Sequence, residues 1–229
     1  MHSCLSPCGD ELMTPNNIAR MSLLKGLDLI ALTDHNTAGQ VPAIKKVCDE
    51  IGLGFIPGVE ITTAEEAHML AYFRTVEDDL RFCEFIYPHI PDIPNRPEFF
   101  GEQTFMDEED EVTGYEKKLL ISAVDISIDD LAEKVREMGG LPIPAHINRG
   151  SNGVLNALGF LPPFAPFAAV EIARDLPLAP SPGVDKYLAL HSSDAHRLED
   201  IFERTEFLPL KDATPEAFFE YILENGKIR

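Results

Sequence analysis

The 229-residue chain has no run of about 18 consecutive apolar residues, the length a helix needs to cross a bilayer. Its first residues carry no basic-then-apolar signal segment. These two absences point to a cytoplasmic chain with no membrane partner. Basic residues are scarce: 19 Lys and Arg stand against 39 Asp and Glu, a formal net charge of −20. No cluster of Lys and Arg offers a cationic track, which argues against long nucleic acid as a partner. Divalent cations would offset part of the negative charge. Cysteines are few (Cys4, Cys8, Cys48 and Cys83) and do not make a disulfide scaffold. Cys4 and Cys8 are spaced C-x3-C, but no second pair follows to complete a zinc knuckle, and all four read as reduced thiols. Internal repeats and low-complexity tracts are also missing.

The composition is otherwise that of a folded protein, with 45% hydrophobic and 25% charged residues. The length suits one α/β domain over 1–229. Short apolar runs alternate with helical patterns, predicting β-α units around a mostly parallel sheet. Thr14-Pro15 starts a helix that Gly26 stops. LDLIALTD (27–34) reads as a buried strand, and Thr37 as the cap of the helix AGQVPAIKKVCDEIG. GFIPGVEIT (54–62) and AHMLAYF (67–73) read as consecutive strands, followed by a helix over 75–87. Residues 88–118, rich in proline and acid, read as an excursion packed on the barrel, with MDEEDE a solvated acidic loop. Ser127-x-x-Asp130 caps the next helix. LPIPAHI, AAVEIAR and YLALHSSDAH follow as strands, with a helix in SNGVLNALG, and Thr214-Pro215 opens the last helix.

Polar residues gather where predicted strands end. They are His2; Asp34 and His35 in TDHN; Glu60 in GVEIT; His68 in AHML; His146 in PAHINR; and Asp194 and His196 in SSDAH. Singly, each has a plain structural reading: a hydrogen-bonded histidine, or an aspartate capping a helix. Together, on the face of a β-α barrel where strand C-termini converge, unpaired imidazoles and carboxylates would be costly to bury. Metal ions resolve that cost, and this donor set suits zinc, manganese or iron without thiolate. Alternate residues of an extended segment share a side, so Asp194 and His196 can reach one ion. His191 and His89 read as structural.

TDHN, GVE, the H of AHMLAYF, PAHINR and SSDAH, in that order, resemble the PHP family (polymerase and histidinol phosphatase) over nearly the whole chain. The excursion ending FGEQTFMDEEDEVTG is similar to that of small stand-alone metal-dependent phosphoesterases. The resemblance implies a distorted (β/α)7 TIM-like barrel holding two or three divalent ions. It carries His2, Asp34, His35, Glu60, His68, His146, Asp194 and His196 over as metal ligands, with Glu60 bridging. The first histidine of the family's H-x-H pair would fall one residue before Met1, so the first strand reads as truncated. Either the natural protein begins earlier, the favoured expectation, or the Met1 amine, a water or a tag residue fills that position.

The expected reaction is hydrolysis of a small phosphomonoester or short phosphodiester by a metal-activated hydroxide. Glu60 and His196 would act at the reacting centre. Arg149 after PAHIN and Arg197 after SDAH would grip phosphoryl oxygens, with Arg174 a further candidate. The partner is then a small phosphorylated substrate, and phosphate or sulfate would occupy the same site. Two other readings stay open: a nuclease acting on short fragments, and a catalytically impaired metal-binding module.

Overall fold

The structure, a computed structural model, describes residues 1–226. Four helices start under side-chain caps, those of Thr14, Thr75, Ser127 and Thr214. Helix α1 (Pro15–Leu24) begins where Thr14 Oγ1 accepts from Asn17 N, and it ends before Gly26, whose φ of +78° a side chain would oppose. Strand β1 (Leu29–Leu32) leads to α2 (Val41–Ile51). Thr37 does not cap α2: its hydroxyl accepts from Gly39 N in a turn, and the helix waits for Pro42 at its first turn. Strands β2 (Gly54–Thr62) and β3 (His68–Tyr72) follow, then α3 (Val76–Ile86).

The excursion is more ordered than a loop. A single-turn helix α4 (Pro97–Phe100) precedes an antiparallel hairpin, β4 (Thr104–Met106) with β5 (Val112–Tyr115). The acidic turn between them does structural service: Asp110 accepts from Thr14 Oγ1 at 2.6 Å and Asn16 N at 3.0 Å, tying the hairpin to the start of α1. Helix α5 (Ile128–Glu137) opens under the Ser127 cap and buries Ile128, Leu131, Ala132 and Val135, one stripe at helical spacing. Strand β6 (Leu141–Pro144), the short α6 (Val154–Ala157), the two-residue strands β7 (Val170–Glu171) and β8 (Ala189–Leu190), and α7 (Pro215–Asn225) complete the order.

The main sheet runs β1-β2-β3-β6. β1 and β2 are parallel, whereas β3 is antiparallel to both its neighbours. Only residues 63–67 join β2 to β3, too few for the crossover that a parallel pair needs. Both faces of β3 are buried: Met69 and Ala71 join the larger core with α1, α2, α3 and α5, while Leu70 and Tyr72 pack with Leu141, Ile143 and Phe218 of α7.

The expected closed barrel is not what forms. The described strands make this four-stranded sheet, the hairpin and a separate parallel β7-β8 pair. Pro142 and Pro144 leave β6 without two of its amide donors, so it meets β7's side through bonds such as Ala168 N to Pro142 O rather than a continuous ladder. On the other side, a cavity of about 610 Å³ lies between β1 and β8, walled by Leu29, Ala31, Leu70, Tyr72, Leu190 and Phe218. Met1 and His2 link the end of β1 to the segment after β8: Thr33 N donates to Met1 O and His2 N to Ala195 O, both at 2.9 Å.

Candidate metal centre

Strand geometry brings the polar residues together. Glu60 sits opposite Leu70 in the β2-β3 ladder, and His68 lies two residues before Leu70, so both side chains leave the same face as the smaller core. A bridge from His35 to Glu60 continues the β1-β2 pairing past the strand end. His146 and Asp194 reach the same point with left-handed backbone, at φ +26° and +46°, conformations rare for residues other than glycine that cluster where function overrides local preference. Asp194 is therefore not in an extended segment. Only Ala189–Leu190 of the predicted strand 187–196 is a strand, and His196 turns back so that its Nδ1 lies 2.7 Å from Asp194 O.

Glu60, 2% exposed, is the hub. Its Oε2 lies 2.9 Å from His2 Nε2 and 3.8 Å from His35 Nδ1, and its Oε1 lies 3.1 Å from His68 Nδ1 and 3.2 Å from His146 Nε2. Asp194 adds Oδ1 at 3.1 Å from His2 Nε2 and takes a short hydrogen bond from Arg149 Nη1 at Oδ2. The rings of His2 and His196 stack at 4.4 Å, and those of His2 and His35 stand 4.5 Å apart. Five of the seven histidines thus meet at two carboxylates. The other two do not: His89 pairs with Asp125, and His191 with Glu206.

Burial alone would raise the Glu60 carboxyl, but the imidazoles around it hold it well below its ordinary range. Burial likewise opposes charge on His2, yet the Asp194 and Glu60 carboxylates outweigh it and lift His2 to about 9. His35 and His196 go the other way, held neutral by burial and by the neighbouring His2 charge. Asp194 is depressed despite its burial, chiefly by the hydrogen bond with His2. The cluster thus balances buried anions against protons on some imidazoles and leaves others neutral.

The donor set fits divalent ions on one direct observation: His35 Nδ1, His68 Nε2 and His146 Nδ1 are buried with no hydrogen-bond partner. Among the described residues, three groups of donor atoms lie within 4.8 Å of one another: His35, Glu60 and His68; His2, Glu60 and Asp194; and His2, Cys8, His35 and His196. Asp34, assigned above as a ligand, belongs to none of them. Its carboxylate accepts from Ser3 N and Ser3 Oγ at 2.6 Å and Ser6 Oγ at 2.7 Å, which turns it toward the loop after His2.

A cleft of about 670 Å³ opens above the cluster, with His146, Arg149, Glu171, Arg174, Asp194 and His196 in its wall. Arg149 and Arg174 thus face it, the latter paired with Glu206 and lying 4.5 Å over the Phe202 ring. Arg197 is exposed and does not line it. Two residues at the site had no signal recognised in the sequence. Glu171, 5% exposed, accepts from His146 N at 2.9 Å and from the Ser192 hydroxyl, and burial raises it to about 7. It closes the apolar run AAVE as Glu60 closes GVE, which is the pattern that could have marked it. Cys8 is the other, hidden by reading the cysteines as pairs.

No family model matches the chain. Over 61 residues, 26% of its length, it is 36% identical to the 5'-3' exoribonuclease Rnm of Salmonella typhimurium; the match spans 21% of that enzyme. In three dimensions it is similar to the lesion-specific endonuclease EndoQ of Pyrococcus furiosus, with TM-score 0.70 and 21% identity over 99% of this chain and 55% of that one. It is also similar to a protein of Bifidobacterium adolescentis assigned as a metal-dependent phosphoesterase, with TM-score 0.58 and 20% identity over 98% and 94% of the two chains. The mixed α/β fold of this chain is the fold of those two proteins.

Proposed function

We propose that the chain is a PHP-type metal-dependent phosphoesterase that hydrolyses a small phosphomonoester or short phosphodiester. The observation that carries this reading is the buried Glu60 hub, with three unpartnered imidazole nitrogens around it and a cleft above. His2, Asp34, His35, Glu60, His68, His146, Asp194 and His196 would hold two or three divalent ions, zinc, manganese or iron; Asp34, with one hydrogen bond from Ser3 Oγ on Oδ2, keeps a lone pair there. Such ions, when bound, lower the pKa of water and neutralise charge on phosphoryl oxygens.

The chain's own residues do the rest. Glu60, with an oxygen toward each of two histidine pairs, fixes the spacing of the donor groups. Asp194 holds Arg149 at the cleft wall through one guanidinium nitrogen, leaving the other N–H groups for substrate oxygens. Arg174, the further candidate named from the sequence, also stands in the wall, held by Glu206 and Thr205, while Arg197 does not line it. His196, kept neutral by its surroundings, presents a lone pair rather than a proton. Arg149, Arg174 and Lys25 share the cleft wall with Asp175, Glu199, Asp200 and Glu203, so its charge does not favour a long polyanion. The second reading, a nuclease on short fragments, is supported by the likeness to the exoribonuclease and to the endonuclease.

The test is turnover of p-nitrophenyl phosphate and bis-p-nitrophenyl phosphate with Mn²⁺, Zn²⁺ or Fe²⁺, for wild type and Glu60→Ala. Turnover by wild type and a loss of at least about 100-fold in the variant are expected, because the hub carboxylate is removed. Equal rates in both proteins would refute the assignment.

A further inference from the structure

We propose that Cys8 is a metal ligand of this centre, completing a sulfur-containing site with His2, His35 and His196. The proposal rests on the metal-site reading above. The Cys8 sulfur and one nitrogen of each of these three rings lie within 4.8 Å of one another. Two of the three histidines keep a ring nitrogen without a partner, whereas both nitrogens of His2 are in contact, Nδ1 with Ser6 Oγ and Nε2 with the Glu60 and Asp194 carboxylates, so His2 would join by turning Nε2 from a carboxylate to the ion. The His35 ring, 2% exposed, makes no hydrogen bond among the described residues, and its Nδ1 is one of the orphaned atoms. The His196 Nδ1 is taken by Asp194 O, which leaves Nε2 to point elsewhere.

The loop that carries Cys8 is built to keep the sulfur there. Ser6 N donates to Ser3 O at 3.1 Å, Gly9 N to Ser6 O at 3.0 Å, and Asp10 N to His196 O at 2.9 Å. The turn is therefore pinned at one end beside His2 and at the other to His196 itself. Gly9 allows the close approach: a β-carbon there would stand 2.0 Å from Ser3 O. Ser6 Oγ also lies 3.1 Å from His2 Nδ1, so the same loop orients the ring of a partner ligand.

Three nitrogens and one sulfur make a four-donor set of the kind zinc and cobalt take in tetrahedral sites. Sulfur selects for zinc over manganese, whereas the group of His35, Glu60 and His68 offers only nitrogen and oxygen. On binding, the thiol gives its proton to solvent and the thiolate enters the coordination sphere. The two ends of the centre then differ in the metal they prefer.

The experiment uses the full chain, freed of metal and titrated with Co²⁺. Wild type is expected to show visible ligand-field bands together with a near-ultraviolet sulfur-to-cobalt charge-transfer band. Cys8→Ser is expected to keep visible bands and lose the charge-transfer band, and to bind Zn²⁺ at least about tenfold more weakly with Mn²⁺ affinity unchanged. Cys48→Ala, which removes a buried thiol on α2, is expected to keep the band. Cobalt binding without the charge-transfer band, or a band that survives in Cys8→Ser, overturns the role of Cys8 and leaves the metal centre standing. A wild type that binds no cobalt overturns both.

Discussion

At the residue scale, the site is a problem of buried charge solved by neighbours. Glu60 is affordable inside the protein because four imidazoles surround it, and removing its charge leaves them facing one another. Glu171 is the contrasting case. Burial outweighs the His146 charge and the His146 amide that favour its ionised form, so it titrates at about 7 rather than 4.5. A carboxyl raised on folding stabilises the fold fully below about pH 4.5, and that contribution is lost as pH rises through 7. For the metal-free protein this is about 3 kcal/mol between pH 4.5 and 7.5, from 1.36 kcal/mol per pKa unit. Glu171→Gln keeps the acceptor for His146 N, so its melting temperature should fall less steeply with pH across that window, measured by circular dichroism in chelator. Parallel slopes in the two proteins would contradict the raised carboxyl. His35 and His146 were legible in the sequence because each follows an apolar run just past the end of a strand, whereas His68 opens β3. Glu171 shares with Glu60 the place at the end of an apolar run and was legible only by that likeness, while Cys8 was not, since it sits in a loop whose fold depends on Gly9 meeting Ser3.

At the element scale, caps and chain connections account for most of what could be read. Thr14, Ser127 and Thr214 each accept from the amide three residues on, as their sequence positions predict. The reversal of β3 was legible in principle from the five residues that separate it from β2. The hairpin in the excursion was not, because its order comes from distant partners: Asp110 on Thr14 and Asn16, and Lys46 on Glu108. Thr14 therefore serves twice, as helix cap and as donor to the hairpin. Thr14→Ala should destabilise the chain by about 1–2 kcal/mol in urea unfolding, at the upper end for a cap. Combined with Asp110→Ala, the two losses should sum to less than their separate values, since they share one hydrogen bond. Strict additivity would show that the hairpin does not lean on α1 through this contact.

At the scale of the whole molecule, an acidic protein gathers five of its seven histidines at one end of its main sheet. The net charge of −20 and the cleft's mixed charge both favour cations over a long polyanion, which accords with the small substrate proposed above. The general fold class was legible from alternating apolar runs, while closure of the barrel was not: it depends on whether β6, with Pro142 and Pro144, and the two-residue strands β7 and β8 can sustain ladders. The catalytic reading and the role of Cys8 both require that this end of the molecule hold metal. The most direct measurement is metal content by emission spectroscopy after loading with Zn²⁺ or Mn²⁺ and gel filtration, for wild type and Glu60→Gln. Wild type should retain about two or more ions per chain, and Glu60→Gln, folded by circular dichroism, at least about one fewer, because the shared carboxylate is gone. Less than one ion in wild type, or equal content in the two proteins, would contradict a metal centre built on Glu60.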